Sequence, residues 1–418
     1  MTQGIRDLQP LRLEQALAAR RLTKGQLAAL VGVSPSSVTK WSKGGQAPEA
    51  ETFERLASVL NVQAEWLTRP ILRPVSPPLY RKNASALKAG LAMLGARAEW
   101  GQEVAVNLAD YVDYPELNLP RRQFTGPEQI SSADIELAAE ECRNAWQLGR
   151  GPVQDLMLAA EGAGIIVVRE ETDIPVVEGL SCWSDELGQR PLVHLSADKA
   201  NGFRSRFDLA HEVGHLILHR HISRTAADVD PEAPEQVRER YNLMERQAHK
   251  FAGALLLPAQ SFASEVRLPV NLDNLLILKQ RWGVSVAAML MRLHALGLLS
   301  DDERLTLIKR RSARWGAKAE PGDDRWTPEQ PRLLRRTIDL LVEEGVVSMD
   351  RIPAWLGLSA HDVIQLCGLP QNYFAGPGQV IELATLRVAR AAGEAIASSV
   401  DGGASVVSLN ALDRRQRS

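Results

Sequence analysis

The 418-residue sequence predicts a mostly α, multidomain protein: an N-terminal five-helix helix-turn-helix bundle, a central α+β domain with a small sheet, and an α-helical C-terminal region. Three observations predict it. Apolar residues recur at helical spacing along most of the chain. The short apolar runs that suit strands, Ile165–Val168, Gly179–Trp183 and Pro191–Leu195, are confined to the middle. A cluster of prolines (Pro70, Pro74, Pro77, Pro78) sets the first 69 residues apart, because such a run cannot lie inside a helix. Hydrophobic residues make up 45% and charged residues 24%, which excludes wholesale disorder, a collagen-like repeat and a coiled-coil rod. No stretch approaches the ~20 apolar residues of a bilayer span, so no membrane association is expected. The three cysteines (Cys142, Cys182, Cys367) lie far apart and form no CxxC pair, which argues for a reducing, cytoplasmic location.

Taken in order, residues 1–69 hold the helix-turn-helix. Leu11, Leu13, Ala16 and Leu17 are expected to line the first helix, and Leu27, Ala28 and Leu30 the second. Thr23 can cap the second helix, and Ser34-Pro35 reads as the cap and first-turn proline of the third. Gly32 supplies the sharp turn between them. Further helices are expected at Glu49–Leu60 and Ala64–Leu67. The first 45 residues carry seven Lys or Arg against two acids, a local charge of +5 in a chain of net −2. Residues 70–130 read as a Pro-rich spacer and a helical connector, 131–300 as the central domain, 301–400 as helices, and 401–418 as a fraying tail. An internal echo lays Ala29–Trp41 on Ala354–Leu366, with a glycine between two helices and Val38 matching Val363. Shared packing is expected there, but the second copy has Ala360, His361 and Asp362 where the first has Pro35, Ser36 and Ser37, so the DNA-facing chemistry is not shared.

The strongest chemical signal is His211-Glu212-Val213-Gly214-His215 within a helical, apolar context. The i,i+4 spacing puts both imidazoles on one helix face, close enough to chelate one ion. Glu212 lies beside that face and can reach a water on the ion without being a ligand, as a general base requires. A third ligand is needed. Downstream, Ala248, Phe251, Ala252 and Leu255 mark a buried face on which Glu245 also sits, and a carboxylate aimed at a core calls for a cation. His249, four residues after Glu245, faces the site as a supporting group or else solvent. His219 continues the face of His211 and His215, either as a competing ligand or as a residue behind the ligands. Zn²⁺ suits two histidines and a carboxylate, and Mn²⁺ or Fe²⁺ are chemically allowed.

The segment Phe207–Leu216 with its HExxH, followed by Glu245-x-x-Ala248-His249-x-Phe251-Ala252 and by Leu255–Pro258, resembles the ImmA/IrrE metallopeptidases. The resemblance implies a zincin-like peptidase domain with Glu245 as third ligand, and a protein substrate, commonly a helix-turn-helix repressor or antitoxin. Gly179–Trp183 and Arg204 with Arg206 also resemble the family, implying an edge strand beside the cleft and structural or substrate contacts. Residues 11–67 resemble the XRE-type (lambda-repressor-like) helix-turn-helix. That implies double-stranded DNA as partner, a third helix from Ser34 to about Lys43 in the major groove, and a homodimer on paired half-sites. Pro35, Ser36, Ser37, Thr39, Lys40 and Lys43 would then face solvent, with Val38 and Trp41 inward. Ser36 and Lys40 are the candidates for base edges, and Lys24, Ser37 and Lys43 complete the DNA-contacting set.

The function expected is a DNA-binding, zinc-dependent endopeptidase that regulates transcription in stress or in mobile elements. The alternative is a non-proteolytic regulator or antitoxin whose metal site senses or only stabilises. Glu212 argues against the alternative, since a structural site needs the histidines and not the base.

Overall fold

In the computed structural model, residues 8–77, 86–174, 177–222, 234–316 and 319–375 are described. The expected tail 401–418, the C-terminal region beyond residue 375 and Pro78 lie outside them. The N-terminal bundle opens with α1 (Pro10–Ala19), α2 (Lys24–Val31) and α3 (Pro35–Trp41). Thr23 and Gln26 close a reciprocal capping box on α2, Gly32 ends it in the left-handed conformation at φ 79°, and Ser34 caps α3. Next come α4 (Ala50–Leu60) and a 3₁₀ turn at Ala64–Thr68, where the fifth helix was expected. Two assignments to the buried faces fail: Leu11 is 61% and Leu30 59% exposed. The true stripes are Leu13, Ala16, Leu17 and Leu27, Ala28, Val31: position 11 falls off the three- and four-residue steps that define one helix face, and Val31 lies such a step from both Leu27 and Ala28, whereas Leu30 does so only from Leu27.

The proline-rich spacer is extended, but it is strapped down. Arg12 Nη2 donates to the Pro70 carbonyl at 2.6 Å, Gln102 to that of Arg73 at 2.9 Å, and the Ser76 and Trp183 backbones are joined at 2.9 Å. The connector helix α5 (Ala86–Ala109) packs against α1 on one side and against the central sheet on the other.

Around the sheet stand α6 (Ser132–Ala145), α7 (Leu156–Gly162), α8 (Gly202–Leu218) and α9 (Glu235–Leu256). Strands β1 (Ile166–Glu170), β2 (Gly179–Ser184) and β3 (Arg190–Ser196) run in the order β1-β3-β2. β3 is parallel to β1, with Ile166 opposite Leu192, and antiparallel to β2, with Gly179 opposite Leu195. All three strands fall at the expected apolar runs, and α8 covers β2 and β3. The peptidase-side core continues through α10 (Ala259–Glu265), α11 (Leu272–Trp282), α12 (Val286–Ala295) and α13 (Asp301–Trp315).

The C-terminal helices α14 (Leu333–Glu343), α15 (Ile352–Leu356) and α16 (Ala360–Cys367) return to the sheet, where α14 and α16 lie on β1. The echo expected from sequence is present in the backbone. Gly357 turns at φ 78° as Gly32 does at 79°, Ser359 caps α16 as Ser34 caps α3, and Val38 and Val363 are both fully buried. The second copy packs on the first bundle. Val62 bridges Leu358, Gln63 N donates to the Gly357 carbonyl at 3.0 Å, and Trp66 lies so close that a Cβ on Gly357 would stand 2.6 Å from its ring. The described residues up to Gln371 form one compact unit. The chain from Asn372 is a second unit, which begins with a turn closed from Ala375 N to the Asn372 carbonyl.

Candidate metal centre

α8 is buried along nearly its whole length, since it runs between the sheet and α9, and several of its polar residues line a cleft. Gly214 makes the approach of the two helices possible: a Cβ there would stand 3.2 Å from Ala248 Cα and 3.1 Å from Phe251 Cδ1. At this distance the side chains of α8 meet Glu245 of α9. His211 Nε2 and His215 Nε2 are 3.0 Å apart, and Glu245 reaches them with separate oxygens at 3.4 and 3.1 Å.

These separations test the fit of a metal. With ligand arms of ~2.1 Å, the edges of a tetrahedron are about 3.4 Å. The two imidazole nitrogens lie 3.0 Å apart and each lies 3.1–3.4 Å from one of the two Glu245 oxygens, spacings close to that edge. Burial works to raise the carboxyl pKa of Glu245, yet the neighbouring imidazoles of His211 and His215 hold it well below the usual carboxylate range, so it stands as an anion. His211, Glu245 and His249 also form a group able to hold a metal ion, with donor atoms within 4.8 Å of one another. The His249 Nδ1–H donates to the Glu245 backbone carbonyl at 2.8 Å, and its ring meets His211 edge-on at 4.4 Å between centroids.

Glu212 is buried beside this group, and its Oε1 rests over the start of β2, where a Cβ on Gly179 would lie 3.3 Å away. Both line a cleft of about 1090 Å³ walled by α6, α8, α9 and α12. Two carboxyls that sequence reasoning did not single out also line it. Burial first, and the adjacent Glu178 carboxyl second, push Asp208 well above the usual carboxylate range, and the two share a hydrogen bond. Asp208 lies one turn before Glu212, a spacing that could have drawn notice. Arg204 lines the cleft, whereas Arg206 is structural. Buried over Trp326, Arg206 donates to the carbonyls of Val153 and Gln154 and pairs with Glu329.

His219 is fully buried behind His215, with the two Nδ1 atoms 2.9 Å apart. On its far side His219 Nε2 meets Gln247 Oε1 at 3.1 Å, and Gln247 Nε2 donates to the Pro127 carbonyl at 2.7 Å. Gln247 went unnoticed in the sequence, where only its i+2 distance from Glu245 hinted at it.

On the DNA side, α3 runs from Pro35 to Trp41 with Val38 and Trp41 buried as expected. Lys40 and Lys43 are exposed, and Thr39 is half-buried. The Ser36 and Ser37 hydroxyls both fold back on Ser34, at 2.8 and 2.9 Å. Lys24 pairs with Glu14 at 2.5 Å. The basic charge of this end is partly spent inside the protein. Arg12 is buried over Trp66 on a double hydrogen bond to Glu103, and Arg20 pairs with Asp362 of α16.

Residues 160–294 match the peptidase M78 family model, described as the IrrE N-terminal-like domain. Residues 13–67 match a helix-turn-helix model. A comparison with curated proteins finds no match for the chain. The chain therefore carries, behind a segment similar to the helix-turn-helix model, a segment similar to the IrrE N-terminal-like domain. Among the described residues no helix is long and apolar enough to cross a membrane.

Proposed function

We infer that this chain is a zinc-dependent endopeptidase of the cytoplasm, carried to double-stranded DNA by its own helix-turn-helix. Its substrate in this reading is a protein, a partner repressor or antitoxin of the helix-turn-helix kind, and its role is regulatory, in stress or mobile-element control. One observation carries the reading: the imidazoles of His211 and His215 and the Glu245 carboxylate meet at 3.0–3.4 Å, and His211 and Glu245 line a cleft together with Glu212. His211, His215 and Glu245 would hold the ion. When bound, zinc polarises a carbonyl and makes a water acidic enough to attack at neutral pH, and Mn²⁺ or Fe²⁺ could do the same. Glu212 takes the proton of the attacking water on its carboxylate and delivers it to the leaving amine. His249 and the Asp208–Glu178 pair stand where they can hydrogen-bond a peptide in the cleft. Lys40 and Lys43, with Ser36, Ser37 and Lys24, form the DNA-facing set, possessing the charge for phosphates but few strong base contacts, so DNA shape or pairing of two chains supplies specificity.

Elemental analysis of the purified chain tests the reading. About one zinc per chain, lost in His215→Ala and kept in Glu212→Gln, is the expected result. No zinc even after reconstitution would overturn it. A Glu212→Gln chain that keeps every cellular phenotype would leave a metal-sensing regulator instead of a peptidase.

A further inference from the structure

We propose that His219 and Gln247 are positioning residues that fix His215 as a metal ligand, tying its ring through a directed hydrogen-bond chain to the backbone at Pro127 and Ile130. The inference rests on the metal centre described above and adds residues outside its ligand set.

The direction of the chain follows from its far end. The carbonyls of Pro127 and Ile130 can only accept, so the Gln247 group facing them at 2.7 and 3.3 Å is the amide NH₂. That turns Gln247 Oε1 toward His219, at 3.1 Å from Nε2, and an amide oxygen can only accept in turn. His219 therefore carries its proton on Nε2, and its Nδ1 is left as an acceptor. The atom 2.9 Å from that Nδ1 is His215 Nδ1, which must then be the protonated nitrogen of its ring. The consequence falls on the opposite nitrogen. His215 Nε2 keeps its lone pair, and this is the atom that stands 3.0 Å from His211 Nε2 and 3.1 Å from Glu245.

Every link of the chain is out of water. His215 is 1%, His219 0% and Gln247 4% exposed, so solvent cannot replace a lost partner. Gln247 lies on α9, two residues after Glu245, and the histidines lie on α8. The chain thus bonds together the two helices that supply the donors, and anchors both to the segment before α6. A ligand histidine held in this way loses less freedom on binding metal, and partners of this kind typically contribute 10–100-fold in metal affinity.

The test uses the full-length chain and Zn²⁺ itself, with affinity measured by competition against a chromophoric chelator. His219→Phe keeps the ring volume and removes the acceptor, and Gln247→Leu keeps the length and removes both ends of the amide. Each is expected to weaken zinc binding about 10–100-fold. Because they interrupt one chain, the double variant should bind no worse than His219→Phe alone, whereas independent packing damage would add. Gln247→Glu separates orientation from fold. It keeps an acceptor for His219 and loses the donor to Pro127 and Ile130, so zinc affinity should fall between that of the wild type and that of Gln247→Leu. Wild-type affinity in both single variants, additive losses, or a Gln247→Glu chain as weak as Gln247→Leu would overturn the proposal with the metal centre intact. A wild-type chain whose zinc binding does not depend on His215 would remove the metal centre and this inference together.

Discussion

The group around Asp362 and the group around Glu245 both take carboxylates and basic side chains out of water, and they solve the resulting problem in opposite ways. Asp362 accepts from Arg20 and from Arg97, and Arg97 continues to Glu170, which in turn meets His194 at 2.9 Å. Guanidinium and carboxylate alternate, so the charges are balanced within the protein. At Glu245 the converging atoms are two imidazole nitrogens and a carboxylate, each of them an electron-pair donor. A buried group of that composition is balanced by a cation from outside. The first constellation is thus a finished clamp and the second a socket. Burial alone does not tell them apart; the identity of the atoms that meet does.

Several measurements would break or sharpen this contrast. Zinc should stabilise the socket and leave the clamp alone. At a free concentration a thousandfold above its Kd, it is expected to add about 4 kcal/mol to the unfolding free energy, and Glu245→Ala should abolish that gain. Thermal melts with and without zinc check both. Asp362→Asn leaves Arg97 and Arg20 without their shared anion, at a cost of about 3 kcal/mol that should be the same with or without zinc.

Acid should act on the clamp in a defined window. Burial opposes ionisation of Asp362, but hydrogen bonding with Arg20 and the charge of Arg97 bring its pKa down to about 2. Glu170 reaches about 2 for the same reasons, through Arg97 and His194. Both values lie below those of an unfolded chain, near ~4. The unfolded state therefore binds protons first, and the clamp's contribution, complete above about pH 5, is lost as the pH falls through 4 toward 2. Denaturant unfolding across that range should show the loss in the wild type and a reduced slope in Asp362→Asn.

Gly214→Ala forces a methyl against Ala248 and Phe251, and overpacking of this kind costs about 1–3 kcal/mol. Because it separates α8 from α9 at the socket, it should also weaken zinc binding, while Gly253→Ala, with its nearest neighbour at 3.6 Å, should do neither. The smallest effect concerns DNA. Lys43→Ala should reduce the salt dependence of binding by about one unit of slope if its ammonium meets a phosphate. Arg20→Gln should leave that slope unchanged, since Arg20 already has its anion in Asp362.

How much of this was legible in the sequence differs between socket and clamp for a physical reason. His211, His215 and Glu212 declare themselves because a helix converts sequence spacing directly into distance. Glu245 does so because its neighbours mark a buried face. The caps Thr23 and Ser34, the turn at Gly32 and the three strands are equally local. Arg12 and Arg20 were counted toward DNA because nothing near them in the chain says otherwise. Their partners, Glu103 and Asp362, stand 91 and 342 residues away. Ion pairs formed across such separations leave no periodic trace. Gln247 escaped for a related reason: its value lies in joining His219 to the Pro127 carbonyl, two groups that meet only after folding.

The strapped spacer has a hydrodynamic consequence. Residues 70–77 have the composition of a loose tether, yet they are hydrogen-bonded on both sides, and Arg20 and Val62 fasten the bundle to α16 and Leu358. The helix-turn-helix and the cleft that holds Glu212 are therefore expected to tumble with one rotational correlation time. A duplex that immobilises α3 would orient the mouth of the cleft at the same moment.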